Sequence, residues 1–466
     1  MRPLLMSGFA INDLASSPSF LSKSAFLLKG VFLLIIAYSL VLSSNLEAAH
    51  RLDFFGARVV SQYTLASLVM LMLWWVSLRQ NVLNLVPPRN NIISFLVVGV
   101  VARLLLLMSD VYTSNDVSRY LFDGRIAFEG FDPYRLAHDA PELSELRAQW
   151  SPPDEHAKYV TLYPPMALAL FSFAASFGVK GSLLAWKLIT LFASIATLLI
   201  GAKVLVRANK AQHLPLLALS PLLILEAGEG LHLDIITALA VISAVYFWQA
   251  KKLSLVGVFI AVGGALKILP LALLLPFLLC LESWKHRAIL FFSAAFTWFA
   301  IYLSSVTLGF KPVGSLSIFF EKWRSGSALF LWLEPHMSVL SLVTLLFALV
   351  LLAYAGIVFY MLQSRNINDD LILCLQYAMA IPLLVSPVIF PWYLLPLLVL
   401  LALRPNLPLI VWSISMPFLY EVLSQFLCCQ HWAPADWPVH LIGFSFILAV
   451  LFTLVVKPRI ANSKKA

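Results

Sequence analysis

The chain has 466 residues; 61% are hydrophobic, only 12% are charged, and the mean hydropathy is +0.90. A soluble globular chain carries roughly 45–50% apolar and about 25% charged residues. This surplus cannot be buried in a water-facing fold, so lipid must supply part of the solvent. The same figures exclude a disordered chain, a collagen, a coiled coil and a small disulfide-built scaffold. The net charge of +9 reads as the basic bias of cytoplasmic loops, and no nucleic-acid partner is expected.

A helix needs about 20 apolar residues to cross the hydrocarbon. The first 24 residues are polar. The span 26–44 follows and reads as uncleaved, because a signal peptide's apolar stretch runs only ~7–15 residues. Further candidate spans are 61–79 and 91–109, then 183–205, 213–228, 234–250, 253–269, 270–283 and 288–308. The stretch 253–283 can also form a bent pair. The last candidates are 337–362, 371–388, 391–404, 407–427 and 438–456. If these spans alternate, Lys203, Arg207, Lys210, Lys251, Lys252, Lys285, Arg287, Arg365, Arg404, Lys457, Arg459, Lys464 and Lys465 all fall on one side. The positive-inside rule makes that side cytoplasmic. The apolar segment 164–179 would break the alternation if it crossed, so it is expected as a re-entrant or half-buried helix on the outer side. Residues 1–466 are read as one integral membrane domain.

Two long outer segments follow from this count, 110–162 and 309–336. The first holds ten Asp or Glu and five Lys or Arg, a net of −5 within a basic chain. The cysteines are Cys280, Cys374, Cys428 and Cys429. They show no metal spacing, and the adjacent pair reads as two buried or interfacial thiols rather than a vicinal disulfide.

The acidic segment opens with Asp116, Arg119, Tyr120 and Asp123 at i, i+3, i+4 and i+7, one face of a helix. Arg119 would lie between two carboxylates and favour their charged forms. A carboxylate just above the membrane can act as a general base for a hydroxyl; a solvated ion-pair face would show the same spacing. Gly130 to Tyr134 reads as a turn, and Tyr163-Pro164-Pro165 as a helix start. Glu226, Glu229, His232 and Asp234 flank another outer turn, weakly patterned as metal ligands. Lys267, in an apolar helix, costs about 2.5–3.5 kcal/mol to insert and is a functional candidate on that ground. Arg324, Trp392 and Tyr393 reach the same side, while Arg103 and Lys187 lie inside spans. Carboxylates and cations gathered there suit a reaction that needs a base and a phosphate-stabilising group. No glycine-rich nucleotide motif is present.

The run from Ser114 to Leu136, followed by Tyr163-Pro164-Pro165, resembles the first outer loop of bacterial GT-C glycosyltransferases. The closest branch is the polyprenyl-phosphate-mannose-dependent mannosyltransferase-like one. The matching residues are Asp116, Val117, Arg119, Tyr120, Asp123, Gly124, Arg125, Gly130, Pro133, Tyr134, Tyr163, Pro164 and Pro165. His232-Leu233-Asp234, Lys267 with Pro270, Trp323-Arg324, and Ser386-Pro387 with Pro391-Trp392-Tyr393 resemble later signatures. The likeness spans roughly residues 100–400. Departures are Asn115 for an acid, Leu231 for a glycine, Gly326 near a usual asparagine, and Phe390 for a histidine.

The resemblance implies an all-α polytopic membrane protein, a GT-C-like bundle of about 12–14 transmembrane helices with a long periplasmic loop. It implies transfer of mannose, or a similar hexose or pentose, from a polyprenyl-phosphate donor to a glycan, lipid or protein acceptor. The site would lie at the outer face of a bacterial inner membrane. By analogy Asp116 is the base. Arg119, Tyr120, Asp123, Arg125, Tyr163, His232, Asp234, Lys267, Arg324, Trp392 and Tyr393 would bind substrate, with Lys267 and Arg324 first in line to stabilise the leaving phosphate. No cofactor is required, and a divalent metal is compatible. The alternative is a transporter or flippase of a lipid-linked sugar, which commonly shows internal repeats and midplane sites; neither is visible here.

Overall fold

The computed structural model describes residues 18–44, 46, 54–82, 88–364, 367–429, 432 and 434–463. The polar start up to residue 17, Arg365, Lys464 and Lys465 lie outside the described residues. Among those described, the chain is helical and forms no strand; an isolated bridge joins Ser325 and Val388. In hydrocarbon every backbone polar group must be paired within its own segment, which for these apolar runs means helix.

In chain order the elements used below are α1 (Pro18–Ser44), α2 (Phe55–Val82), α3 (Pro88–Leu105), α4 (Asp116–Phe128), α5 (Pro165–Ala175), α6 (Gly178–Arg207), α7 (Pro221–Gly228), α8 (Asp234–Gln249), α9 (Leu253–Leu266), α10 (Trp284–Thr307), α11 (Val339–Gln363), α12 (Ile367–Leu384) and α13 (Leu395–Leu403). Among the described residues, nine helices are long and apolar enough to cross a membrane, and six apolar helices are shorter. The fourteen candidate spans fall on these nine and on five of the short ones. The sixth short helix is α5. Its 11 residues reach about 16 Å, far less than the ~30 Å hydrocarbon. The chain is a multi-pass, all-α membrane protein.

Burial sorts the helices. Along α10 and α11 only 17% of the apolar window is buried, and Phe292, Phe296, Leu340 and Leu352 point outward. At the centre, α8 packs against α6, α9 and α13 and has buried residues along most of its length. Helix α9 stops at Lys267, whose backbone is extended (φ −145°, ψ 138°). A 3₁₀ turn, Leu269–Leu273, then carries the chain on. The stretch 253–283 is therefore the bent pair, and its break brings Lys267 to the site.

The acidic segment folds down onto the bundle instead of projecting from it. Helix α4 packs on α5, and at Gly124 the two backbones nearly touch. A β-carbon there would meet the Phe171 carbonyl oxygen at 2.3 Å, so only glycine fits. Tyr120 stacks on Phe171 (4.6 Å) and lies edge-on to Tyr163 and Trp186. Asp132 accepts from the backbone N–H of Tyr134 and of Lys311, both at 3.0 Å. Ser315 donates through its backbone N–H to Thr161 O and through its hydroxyl to Val160 O. The segments 110–162 and 309–336 are thus laced together. Cys428 is disulfide-bonded, which corrects its reading as a thiol; Cys374 is a free thiol.

Candidate active site

A cavity of about 370 Å³ opens where α4, the α9 break, the 309–336 segment and the start of the Pro391–Leu403 helix meet. Seven of the twelve site residues expected from the sequence line it: Asp116, Arg119, Tyr163, Asp234, Lys267, Trp392 and Tyr393. They come from positions up to 277 residues apart, and packing alone unites them.

Asp116 is the first residue of α4, where the helix dipole favours a carboxylate. Its side chain is 21% exposed and accepts from the Tyr120 hydroxyl at 3.3 Å. Its Oδ2 lies 3.6 Å from Nδ1 of His232. Arg119 does not sit between two carboxylates as the spacing suggested: its ion-pair partner among the described residues is Asp123, at 4.0 Å. The guanidinium is buried, reaches Val160 O at 3.4 Å and leaves Nε without a hydrogen-bond partner.

Lys267 donates to both oxygens of Asp234, at 2.8 and 2.7 Å, and its Nζ sits 4.3 Å from the centre of the Tyr393 ring. Asp234 opens α8 and is buried.

His232 stands behind the wall rather than in it. It is fully buried and stacked on Trp392, with ring centres 3.8 Å apart and 10° between planes. Trp392 also stacks on Phe390 (4.5 Å). Burial pushes the His232 imidazole well below its ordinary pKa, and the Lys267 charge acts in the same direction. The turn that carries it bends at Leu231, whose φ of +50° lies in the left-handed region. That conformation favours glycine, the residue that the resemblance implies there. Leu231 is held by its buried side chain and by Trp186 Nε1, which donates to its carbonyl at 2.8 Å.

Four further candidates lie outside the lining. Tyr120 is buried in the aromatic cluster behind Asp116. Asp123 is fully buried and accepts from His138 and from the Thr161 hydroxyl, each at 2.7 Å. Burial alone would raise its pKa; His138 first, then Arg119 and Thr161, outweigh that and hold the carboxyl below its usual range. Arg125 pairs with Glu129 and lies over Phe128 and Trp150. Arg324 is bound to Glu334 at 3.1 Å and lies over Phe330.

Sequence reasoning missed His138 and Thr161, and also Tyr63 and Tyr420, whose hydroxyls both reach Oε1 of Glu226. It missed the apolar side of the cavity as well, formed by Ile268, Leu316, Phe319, Phe320, Tyr302 and Trp432. Among the described residues no three His, Cys, Asp or Glu side chains are grouped to hold a metal ion. Three of the turn's four candidates divide: Asp234 goes to Lys267, and His232 to Glu226.

Residues 21–283 match the family described as alpha-(1->6)-mannopyranosyltransferase, N-terminal domain (MptA_B family). The match covers more than half of the chain. The protein belongs to this family. It is therefore a glycosyltransferase acting on mannose, in keeping with the likeness to GT-C mannosyltransferases read from the sequence. No curated protein and no solved structure matches the chain.

Proposed function

We propose that this family member moves a mannosyl group from a polyprenyl-phosphate donor to a hydroxyl of a glycan, lipid or protein acceptor. The reaction takes place at the periplasmic face of a bacterial inner membrane, on a GT-C scaffold. The observation that supports this most is the make-up of the cavity. A part-exposed carboxylate and two cations share it with an apolar side that includes outward-facing Ile268 and Phe320. A sugar phosphate suits the polar side, and a lipid chain suits the apolar one.

Asp116 takes the proton of the acceptor hydroxyl. The oxygen attacks the anomeric carbon, the bond from that carbon to the phosphate oxygen breaks, and the electron pair leaves with the lipid phosphate. An ammonium has three donors. Lys267 gives two to Asp234, which leaves one for a phosphate oxygen; Arg119 is the second cation of the wall. Arg324 is engaged by Glu334 and takes no part in this assignment. Tyr393 offers aromatic surface to the sugar, while Trp392, stacked on His232 and Phe390, backs the wall. One displacement inverts the anomeric carbon, so an α-(1→6) product, as in the family's description, comes from a β-linked donor.

The test offers purified protein radiolabelled β-mannosyl polyprenyl phosphate or GDP-mannose, with octyl α-mannoside as acceptor. Transfer from the lipid donor alone, giving an α-linked disaccharide by NMR, is the expected result. Transfer from GDP-mannose would contradict the reading. So would movement of the lipid-linked sugar across vesicles without transfer, which would mark a flippase.

A further inference from the structure

A base that takes a proton at every turnover must also lose it, and a cavity filled by donor and acceptor holds little water to receive it. Behind Asp116 lies a line of buried polar groups that leads away from the cavity. Asp116 Oδ2 is 3.6 Å from His232 Nδ1, and His232 Nε2 is 3.5 Å from Glu226 Oε2. Both Nδ1 and Oε2 are buried without a hydrogen-bond partner, so each has this neighbour to turn to. Unliganded enzymes commonly hold catalytic hydrogen bonds long and tighten them with substrate. The far oxygen of Glu226 is fixed by Tyr63 at 2.8 Å and by Tyr420.

The geometry is built, not incidental. The His232 ring is clamped flat on Trp392. Its backbone N–H donates to Glu226 O at 3.0 Å. At Gly230 a β-carbon would come within 2.4 Å of His232 Cδ2 and 2.7 Å of Glu226 Oε2; only a residue without one leaves the pair room. Five separate parts of the chain hold this line, and its interior members, His232 and Glu226, are fully buried.

We infer that His232 and Glu226 form a proton relay with Asp116, drawing the acceptor's proton from the cavity wall into the bundle. This rests on the mannosyl-transfer reading, with Asp116 as base. The acceptor O–H bond breaks and its proton joins Asp116. It passes from Oδ2 to His232 Nδ1, while the proton on Nε2 moves to Glu226 Oε2. Glu226 starts as the carboxylate held by the Tyr63 and Tyr420 hydroxyls, and imidazole and carboxylic acid both end neutral, the form a low-dielectric interior favours. When products leave, the same steps run backward and the proton goes through Asp116 to water. His232 and Glu226 touch no substrate; they are positioning residues. Besides Asp116, Ser114 Oγ lies 3.4 Å from His232 Nε2, and the Lys267 charge acts on the ring. Glu226 feels Asp234 and Glu229 in addition to its two tyrosines.

The experiment measures kcat and donor KM against pH for the full-length protein in detergent, with β-mannosyl polyprenyl phosphate and octyl α-mannoside. His232→Gln and Glu226→Gln should each lower kcat roughly tenfold or more, short of the ~10²–10⁴-fold that a base itself contributes. Donor KM should hold within about twofold, and the acid limb of the kcat profile should move. Tyr63→Phe and Tyr420→Phe keep the packing and should move the same limb by less, which preserves the test if His232→Gln fails to fold. The relay is overturned if Asp116→Asn abolishes transfer while folded Glu226→Gln and both tyrosine variants keep the wild-type kcat and profile; the proton then leaves straight to water. If Asp116→Asn transfers as well as wild type, the base assignment falls first and takes the relay with it.

Discussion

Asp116 and Asp123 lie seven residues apart on one helix, and their spacing gives them the same face. Their surroundings differ in every respect that matters for chemistry. Asp123 is fully buried, with two 2.7 Å hydrogen bonds from His138 and Thr161 and Arg119 alongside. Asp116 is part-exposed at the cavity, with contacts of 3.3 Å or longer. A satisfied carboxylate holds structure together, and an under-satisfied one at a cavity has capacity left for a substrate proton. On the proposed mechanism the α4 helix carries a strut and a base on one element, two turns apart.

The strut is the easier to break. Asp123→Ala leaves His138 and Arg119 without their buried partner and should destabilise the protein by about 3–5 kcal/mol, read as a fall in thermal unfolding temperature in detergent. On the reactive side, Lys267→Gln should lower mannosyl transfer ~10²–10³-fold, about 2.7–4 kcal/mol, as expected for losing one preorganised donor to developing charge. Gly124→Ala forces α4 off α5 and should cost about 1–3 kcal/mol of stability, with a smaller loss of turnover as Asp116 shifts. The gentlest probe is pH. The folded Asp123 carboxyl titrates below its unfolded value, so its contribution is present above the ordinary carboxylate pKa of about 4 and fades as pH falls through the depressed folded value. Acid unfolding curves of wild type should show this loss below about pH 4, and Asp123→Asn should lack it.

Much of the fold was legible because hydropathy reports solvent directly. Each of the fourteen apolar runs became a helix or part of one, and the Lys267–Pro270 break was visible as a possible bend. The site was legible only in part. The sequence pointed to seven side chains that meet at the cavity, because polar groups stand out against apolar helices. It could not show which carboxylate of α4 would be satisfied, since Thr161 is 38 residues from Asp123. Nor could it show the Glu226 hydroxyl cradle, whose tyrosines lie 163 and 194 residues away inside apolar spans, where a tyrosine reads as packing. Arg125 is different: Glu129 stands four residues on along the same helix, so a local ion pair was there to be read. The Arg324–Glu334 pair, ten residues apart, needed the turn between them to be known.

The most direct test measures transfer from β-mannosyl polyprenyl phosphate by Asp116→Asn and Asp123→Asn side by side, per folded molecule, together with their unfolding temperatures. The account predicts that Asp116→Asn unfolds like wild type and loses ~10²–10⁴-fold in rate, whereas Asp123→Asn unfolds earlier and keeps most of its turnover. Folded Asp123→Asn without activity, beside an active Asp116→Asn, would contradict it.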